Sequence, residues 1–437
     1  MAASPHIRGY KSVEYFLHEK GECGISPEEQ REAVENLLLG RKLNRVLIIP
    51  PDFTRYHSGA GHLTCCCYKE LEGRADVDII PALGTHAPMT EAELDKMYPG
   101  IPHDRFIVHN WRNDVVKLGE ISADELNELS DGLWNTPVDV EVNRRIVYGG
   151  YDLILSIGQV VPHEVIGMSN HAKNIFVGVG GSSMINSSHM LGAVYGLERM
   201  MGRDHTPVRQ LFDMALERFL SKYPIVFMLT TMSAGQHMHG LFIGDTRRVL
   251  EESVSSSQEH NMDWLDAPIK KCVVYLDPEE YKSTWLGNKA VYRSRMAIAD
   301  GGELIILAPG IEKFGEDAEN DRVIRKYGYT GRLHILELFG HEPELRNNMG
   351  AAAHLIHGSS DGRFEIKYAV KSISHDEIEA AGFTALDYDE TAAKYPPSAL
   401  RDGFNTMPDG EEIFYISNPA LGLWAERKRF FETEETD

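Results

Sequence analysis

Apolar residues in this chain collect into short unbroken runs, each closed by a polar cluster. RVLIIPPDFTR (45–55), VDIIPALGTH (77–86) and YDLILSIGQVVPHE (151–164) have this form. A run of roughly four to eight apolar residues bounded by turn signals reads as a strand buried on both faces, the kind a parallel sheet contains. Between the runs lie segments of helical spacing, such as the one around residues 63–71. Strand, polar loop, helix is the order of an α/β protein, where ligands sit beyond the carboxyl ends of the strands. Asp52, Arg55, His86 and His163 fall just past such ends, so one shared crevice is expected to hold them.

A second series follows a polar stretch at 251–266. KKCVVYL (270–276), GGELIILAPG (301–310), RLHILEL (332–338) and RFEIKYAV (363–370) read as further strands. A length of 437 residues exceeds one ordinary core. The expected fold is therefore α/β, with two domains of mainly parallel sheets flanked by helices and an active site in the interdomain crevice. A first domain is expected over 1–266 and a second α/β domain over 267–404, with the tail 405–437 as a candidate to return to the first. No internal repeat stands out.

Composition narrows the class. Hydrophobic content of 42% and charged content of 25% are those of a globular protein. No apolar run reaches about 18 residues, so no membrane span is expected. The opening MAASPHIRGYKSVEYF lacks the apolar core of a secretion signal. The five cysteines include the consecutive Cys65, Cys66 and Cys67. Such a set is neither a disulfide framework nor a usual metal spacing. It suggests apolar packing in a helix and a reducing cytoplasm. A net charge of −22 leaves no basic face for nucleic acid. An anionic substrate would need a local cluster of cations, for which Arg55, Lys173, Lys289, Arg293 and Arg295 are candidates. Neither nucleic acid nor membrane is expected as a partner, and a homo-oligomer is left open. The closing ETEETD reads as a solvated acidic tail.

Chemistry concentrates in residues 163–189, HEVIGMSNHAKNIFVGVGGSSMINSSH. Imidazole is the usual acid or base near neutral pH and a common ligand of nickel and zinc. A lysine amine can link covalently to a cofactor. The glycine-rich loop at 178–183 lets backbone approach an anion closely, with Gly180 and Gly181 at its centre. It is not a dinucleotide fingerprint, because the third glycine of G-x-G-x-x-G would fall at Ser183. Each part also has an ordinary structural explanation. Asp52 could cap a loop beside a surface Arg55, and a single histidine is more often structural than catalytic. Gly84, two residues before His86, suggests tight backbone geometry there. Two histidines on opposite sides of one substrate carbon could each add or remove a proton, as a racemase requires.

At Asp52-x-x-Arg55, Gly84-Thr85-His86, His163, Lys173 and His189, the chain resembles the lactate racemase family. The spacings from His163 to Lys173 and on to His189 follow the family pattern. Lys289, in STWLGNKAVYRSR, resembles the family's second-domain lysine. The likeness is strong in the first domain and weak after about Arg322. It implies a nickel-pincer nucleotide cofactor, a Ni(II) pyridinium-3,5-bisthiocarboxylic acid mononucleotide. His189 would be the protein ligand to the metal. Lys173 would hold the cofactor, covalently or not, with Asp52, Gly180, Gly181 and Lys289 as further cofactor-binding residues. His86 and His163 would flank the substrate and exchange its hydroxyl proton. Hydride would pass from C2 to the cofactor and return to either face. Soft sulfur and imidazole suit square-planar Ni(II). Arg55 could grip a carboxylate bidentately.

The chain also departs from the lactate enzyme. Trp285 and Leu286 stand where that enzyme has a Tyr-Gln pair, and Tyr56 stands where a proline is common. The expected reaction is racemisation or 2-epimerisation of a 2-hydroxy acid larger than lactate. Arg55, Trp285, Arg293 and Arg295 would line the substrate. Arg293 and Arg295 would suit a dicarboxylic acid such as malate. His57, Ser58 and Asn288 would suit an aldonate such as gluconate. The alternatives are another metal- or NAD-dependent α/β oxidoreductase, or a non-catalytic carrier of the cofactor.

Overall fold

The computed structural model describes residues 14–19, 21, 23–233, 235–420 and 422–435. The chain forms two compact units. One comprises the described residues up to Ser188 together with Gly202–Asn261, and the other comprises His189–Met201 together with the described residues from Met262 onward.

The first unit is built on a six-stranded sheet. Its spatial order is Glu14–His18, Met238–Gly244, Ile225–Met232, Leu153–Gln159, Arg45–Ile49 and Asp76–Ile79. The last four run parallel, and the first two add antiparallel edges. The runs at residues 45–55, 77–86 and 151–164 thus supply three adjacent parallel strands, in register at Ile48↔Ile79 and Ile48↔Leu155. The helices Pro27–Leu38 and Ala60–Leu71 cover one face. The first starts at a capping box in which Ser26 and Glu29 satisfy each other's backbone N–H. Val34, Leu37 and Leu38 of the first helix and Leu63, Cys67 and Leu71 of the second share one core with Val46, Ile48 and Leu155. These positions recur at three- and four-residue intervals, the spacing of one helix face. Cys67 is buried there, and Cys65 and Cys66 are partly buried against the same core.

The second unit has its own six-stranded sheet, ordered Thr384–Asp387, Glu365–Val370, Ile298–Ala308, Ile269–Tyr275, Glu412–Ile416, Gly403–Thr406. All neighbours are parallel except the last pair. Each unit is therefore α/β with a mainly parallel sheet and flanking helices.

Two sequence expectations change. Residues beyond 405 cluster with the second unit rather than returning to the first. Glu412–Ile416 completes the second unit's sheet, and Leu423–Glu426 pairs in parallel with Met262–Leu265. RLHILEL is not a strand but part of the helix Arg332–His341. Leucine, arginine and glutamate are strong helix formers, and only Ile335 is fully buried, so a short apolar run was ambiguous. The polar stretch from residue 251 lies largely in the helix Arg247–Asn261. Its buried Ser253 and Ser257 turn their hydroxyls onto Leu250 O and Asn261 Oδ1, so polar residues occupy its inner face. The acidic end is largely the helix Arg427–Glu435, and the final two residues lie outside the described part. Among the described residues no helix is long and apolar enough to cross a membrane.

Candidate active site

In the first unit, polar side chains gather where parallel strands end. The strand Arg45–Ile49 runs into Pro50-Pro51, and the phenol of Tyr98 donates to Pro51 O. Asp52 follows, only 5% exposed, at the entrance to the turn Phe53–Ser58. Thr54 donates its hydroxyl to one carboxylate oxygen, and His86 Nδ1 lies 2.6 Å from the other. Burial alone would raise the Asp52 pKa. The hydrogen bonds from His86 and Thr54, with the nearby Arg55 charge, outweigh it and hold the carboxyl below its ordinary value. An ionised Asp52 accepts from Nδ1–H, which fixes His86 in the tautomer whose Nε2 can accept a proton. The His86 side chain remains 57% exposed, so this nitrogen has access to a ligand.

The backbone that carries His86 is tightly constrained. Gly84 has φ +57°, and its N–H donates to Gly178 O at 2.8 Å. This bond ties the loop after the Asp76–Ile79 strand to the short π-helix Asn174–Gly178, which follows Lys173. Asn174 ties the same helix to the sheet, donating from Nδ2 to Ile49 O and to Ser156 Oγ, both at 3.1 Å. Upstream, Asn170 and His171 both take left-handed conformations, at φ +65° and +56°. Fully buried Arg209 holds this kink by donating to Met168 O and Asn170 O. Burial, followed by the charges of Arg209 and Arg247, pushes the His171 pKa well down and keeps the ring neutral.

Lys173 stands on this scaffold, half-buried. Burial, reinforced by the Arg55 charge, lowers its pKa to about 8, while Glu164 and Asp52 oppose the shift. Asp52, Arg55, Glu164 and Lys173 thus share one electrostatic neighbourhood, which includes His86 through Asp52. His163 is buried after the Leu153–Gln159 strand. Its Nδ1 accepts from Val165 N–H at 3.1 Å and lies 3.9 Å from a Glu164 carboxylate oxygen. Four expected residues of this unit, Asp52, Arg55, His86 and Lys173, are therefore brought together, and His163 stands beside Glu164.

The glycine loop differs from the expected anion cradle. A Cβ on Gly180 would lie 1.8 Å from Phe176 O, and one on Gly181 would lie 2.2 Å from a Glu141 carboxylate oxygen. That oxygen also accepts from Ser183 N–H at 3.1 Å. The first turn of the helix Ser182–Tyr195 already meets a carboxylate from its own unit. Gly180 and Gly181 are required by packing, and an internal anion occupies the place expected for an external one. His109 supports the loop, with Nε2 donating to Gly180 O at 2.9 Å and Nδ1 accepting from Asn143. Sequence reading missed Glu141, His109, Asn174 and Arg209. Only Arg209 gave a signal, as a charged residue on the apolar side of the helix Pro207–Ala215.

Residues 29–200 match the family model described as the lactate racemase N-terminal domain. Over those residues, less than half of the chain, the protein is similar to the lactate racemase family. That likeness supports a racemase or epimerase type of activity, and with it an isomerase. A protein from Thermotoga maritima has a similar crystal structure, with a TM-score of 0.77 at 23% identity over 94% of this chain and 100% of that one. The lactate racemase apoprotein from Thermoanaerobacterium thermosaccharolyticum is also similar, with a TM-score of 0.70 at 15% identity over 92% of this chain and 94% of that one. At these identities the two structures share the fold. A search of curated proteins finds no match.

The remaining lactate racemase-like positions lie in the second unit. His189 is half-buried on the helix Ser182–Tyr195 and is the first residue of the chain to cluster with this unit. Lys289 extends over the Tyr281 ring, 5.7 Å from its centroid. Trp285 is half-buried and stacks on His354 with centroids 4.1 Å apart and planes 20° apart. Arg293 is half-buried and donates toward Gly422 O at 3.4 Å.

Three expected substrate contacts have other work. Arg295 is 3% exposed and donates to Glu198, Ser359 O and Asp361. Its guanidinium is consumed inside the second unit, so it is structural rather than a substrate contact. Asn288 is fully buried with its Oδ1 accepting from Tyr368. Ser58 is buried, and its hydroxyl accepts from Ala60 N–H at 3.3 Å.

Proposed function

We propose that this protein is a racemase or 2-epimerase of a 2-hydroxy acid and that it works with a nickel-pincer nucleotide. The observation that carries the reading is the cluster in the first unit. There a buried carboxylate orients an exposed imidazole beside a lysine amine whose pKa falls to about 8. The donor set suits the cofactor. The Lys173 amine is partly neutral near pH 7–8, as attachment to a thio-acid group requires. His189 offers an imidazole for nickel, and Asp52 and Lys289 complete the polar contacts. When bound, the cofactor supplies an acceptor that takes a hydride from C2 and returns it.

The chain's own residues do the rest. Arg55 holds the C1 carboxylate, so that C2 presents one orientation. His86, with Nδ1 committed to Asp52, takes the hydroxyl proton at Nε2. His163, with Nδ1 accepting from Val165, serves as its counterpart through Nε2. Protonation of the oxygen on return needs the same two groups in the opposite roles. Trp285, backed by His354, and Arg293 belong to the substrate side. They favour a sugar acid or a dicarboxylic hydroxy acid over lactate. Among the described residues no group of three or more His, Cys, Asp or Glu side chains is placed to hold a metal ion.

The test is holo-protein made with the cofactor-synthesis enzymes and incubated with enantiopure 2-hydroxy acids, followed by chiral chromatography and metal analysis. Inversion at C2, with nickel that His189→Ala loses, is expected. Nickel-free protein that inverts substrate equally well would overturn the cofactor assignment. Loaded protein inert toward every acid would favour a carrier role.

A further inference from the structure

The two histidines assigned to proton transfer carry their protons on opposite nitrogens. His86 donates Nδ1–H to Asp52 at 2.6 Å, so its Nε2 holds a lone pair. At His163 the backbone N–H of Val165 donates to Nδ1 at 3.1 Å. A neutral imidazole that accepts at Nδ1 has its proton on Nε2. His163 therefore presents a donor where His86 presents an acceptor. To take a hydroxyl proton at Nε2, the ring must carry its own proton on Nδ1, and Val165 N–H cannot receive that proton. The local structure supplies an acceptor. Pro162–His163 and Gly167–Met168 pair as a short antiparallel ribbon, with Glu164, Val165 and Ile166 as its tip. The tip is held from outside: Thr206 Oγ1 donates to Ile166 O and Gly202 N–H to Gly167 O, both at 2.9 Å. From this tip a Glu164 carboxylate oxygen stands 3.9 Å from His163 Nδ1, and the His163 and Glu164 side chains are 10% and 28% exposed. That distance is about 1 Å beyond a charge-assisted hydrogen bond, a gap that side-chain rotation closes. The same carboxylate supports the proton of Lys173 against burial and the Arg55 charge, so it belongs to the cluster already described.

We propose that Glu164 is the positioning residue of His163: its carboxylate accepts Nδ1–H when the ring turns away from Val165, which leaves Nε2 with the lone pair that a base needs. This inference rests on the racemase reading. The proton count closes. Nδ1 gains one proton from water and Nε2 releases one to water, so the ring stays neutral. When Nε2 then takes the hydroxyl proton, the resulting imidazolium is paired with Glu164, as the His86 imidazolium is with Asp52. On return, Nε2–H goes back to the substrate oxygen and Nδ1–H stays with Glu164. The two pairs differ in one respect. Asp52 holds His86 in a single tautomer, whereas Glu164 competes with Val165 N–H for the ring. His163 thus changes between donor and acceptor, and Glu164 decides when. Glu164 acts through His163 and is not itself a catalytic residue.

The experiment is ring-nitrogen NMR on full-length protein labelled at histidine, with the His163 signals identified by their loss in His163→Gln. Protonated and unprotonated ring nitrogens are well separated in such spectra, so the tautomer is read directly. Glu164→Gln keeps the size of the side chain and removes its charge, and an unchanged circular dichroism melt confirms folding. In the neutral ring, the wild type is expected to show both tautomers in exchange and Glu164→Gln the Nε2–H form alone. On acid titration the His163 midpoint should fall by about one pH unit in the variant, the scale of losing an opposite charge at this range. The other charges coupled to Lys173, namely Arg55, Arg209 and Asp52, are the same in both proteins. In holo-protein Glu164→Gln should lower kcat by about tenfold or more with KM little changed, as loss of an orienting partner does. Identical midpoints, or the Nε2–H form alone in both proteins, would overturn the assignment, and so would an unchanged kcat. The expected NMR changes in a protein that, once loaded, inverts no 2-hydroxy acid would overturn the racemase reading and leave the Glu164–His163 pair standing.

Discussion

At the residue scale, Lys173 has a proton affinity that can be measured without any cofactor. The amine is protonated up to about 10.5 in the unfolded chain but only up to about 8 in the fold. Between those values the unfolded chain holds more protons, so stability rises with pH across that window, and below it the full cost is present. The cost is at most roughly 3 kcal/mol, less after allowance for partial exposure. Lys173→Met is therefore expected to raise the free energy of urea unfolding by about 1–3 kcal/mol at pH 7, and the gain should vanish above the upper end of the window. A gain independent of pH would mean that the effect is packing rather than charge. Asp52 contributes stability rather than a cost, and its pH slope runs in the same direction. Its lowered pKa stabilises the fold above the ordinary carboxylate range, and that contribution is lost as pH falls through the folded value. In holo-enzyme, Asp52→Asn should lower kcat by about 10- to 100-fold with little change in KM, because the amide no longer fixes the His86 tautomer. Equal loss in both parameters would show that Asp52 contacts the substrate.

At the scale of elements, the distinction between scaffold and site is sharpest in the loop at residues 178–183 and in the helix Lys289–Ser294. Gly180→Ala would place a methyl carbon against Phe176 O, so soluble yield should collapse. Arg295 lies just past its helix among Glu198, Asp361 and Ser359 O. Removing one partner of such a buried set costs about 3–5 kcal/mol. Arg295→Ala should thus lower the Tm by several degrees while substrate preference among the remaining active molecules stays unchanged. A switch in preference with an unchanged Tm would restore Arg295 to the substrate side. These two cases also show what the sequence could not tell. Strand ends, and with them Asp52, His86 and His163, were legible because buried parallel strands are continuous apolar runs followed by polar loops. Whether an arginine faces a ligand or a neighbouring carboxylate depends on residues about a hundred positions away, as Glu198 is from Arg295. Glycine in a loop looks the same whether a phosphate or Glu141 approaches it.

At the scale of the whole molecule, the two-sheet α/β architecture could be read from the order of the runs. The path of the chain between the units could not. His189–Met201 counts with the second unit although first-unit segments flank it on both sides. Its contacts there are specific. Arg295 and Arg363 both meet the Glu198 carboxylate, and Arg332 donates to Val194 O at 2.9 Å. A fragment ending near residue 261 would carry this segment without those partners. It should be recovered mainly as aggregate by size-exclusion chromatography, and co-expression with residues 262–437 should improve its solubility. A monodisperse, folded fragment would show that the segment is autonomous. The same path bears on descent. A single genetic crossover cannot trade one unit for a relative's counterpart, because the second unit is encoded in two separated stretches of the gene. Any exchange near codon 262 leaves Glu198 facing a foreign set of arginines. Recombination should then have shuffled these units rarely, and the histidine at position 189 should share its ancestry with the second unit's arginines as closely as with the lysine sixteen residues before it.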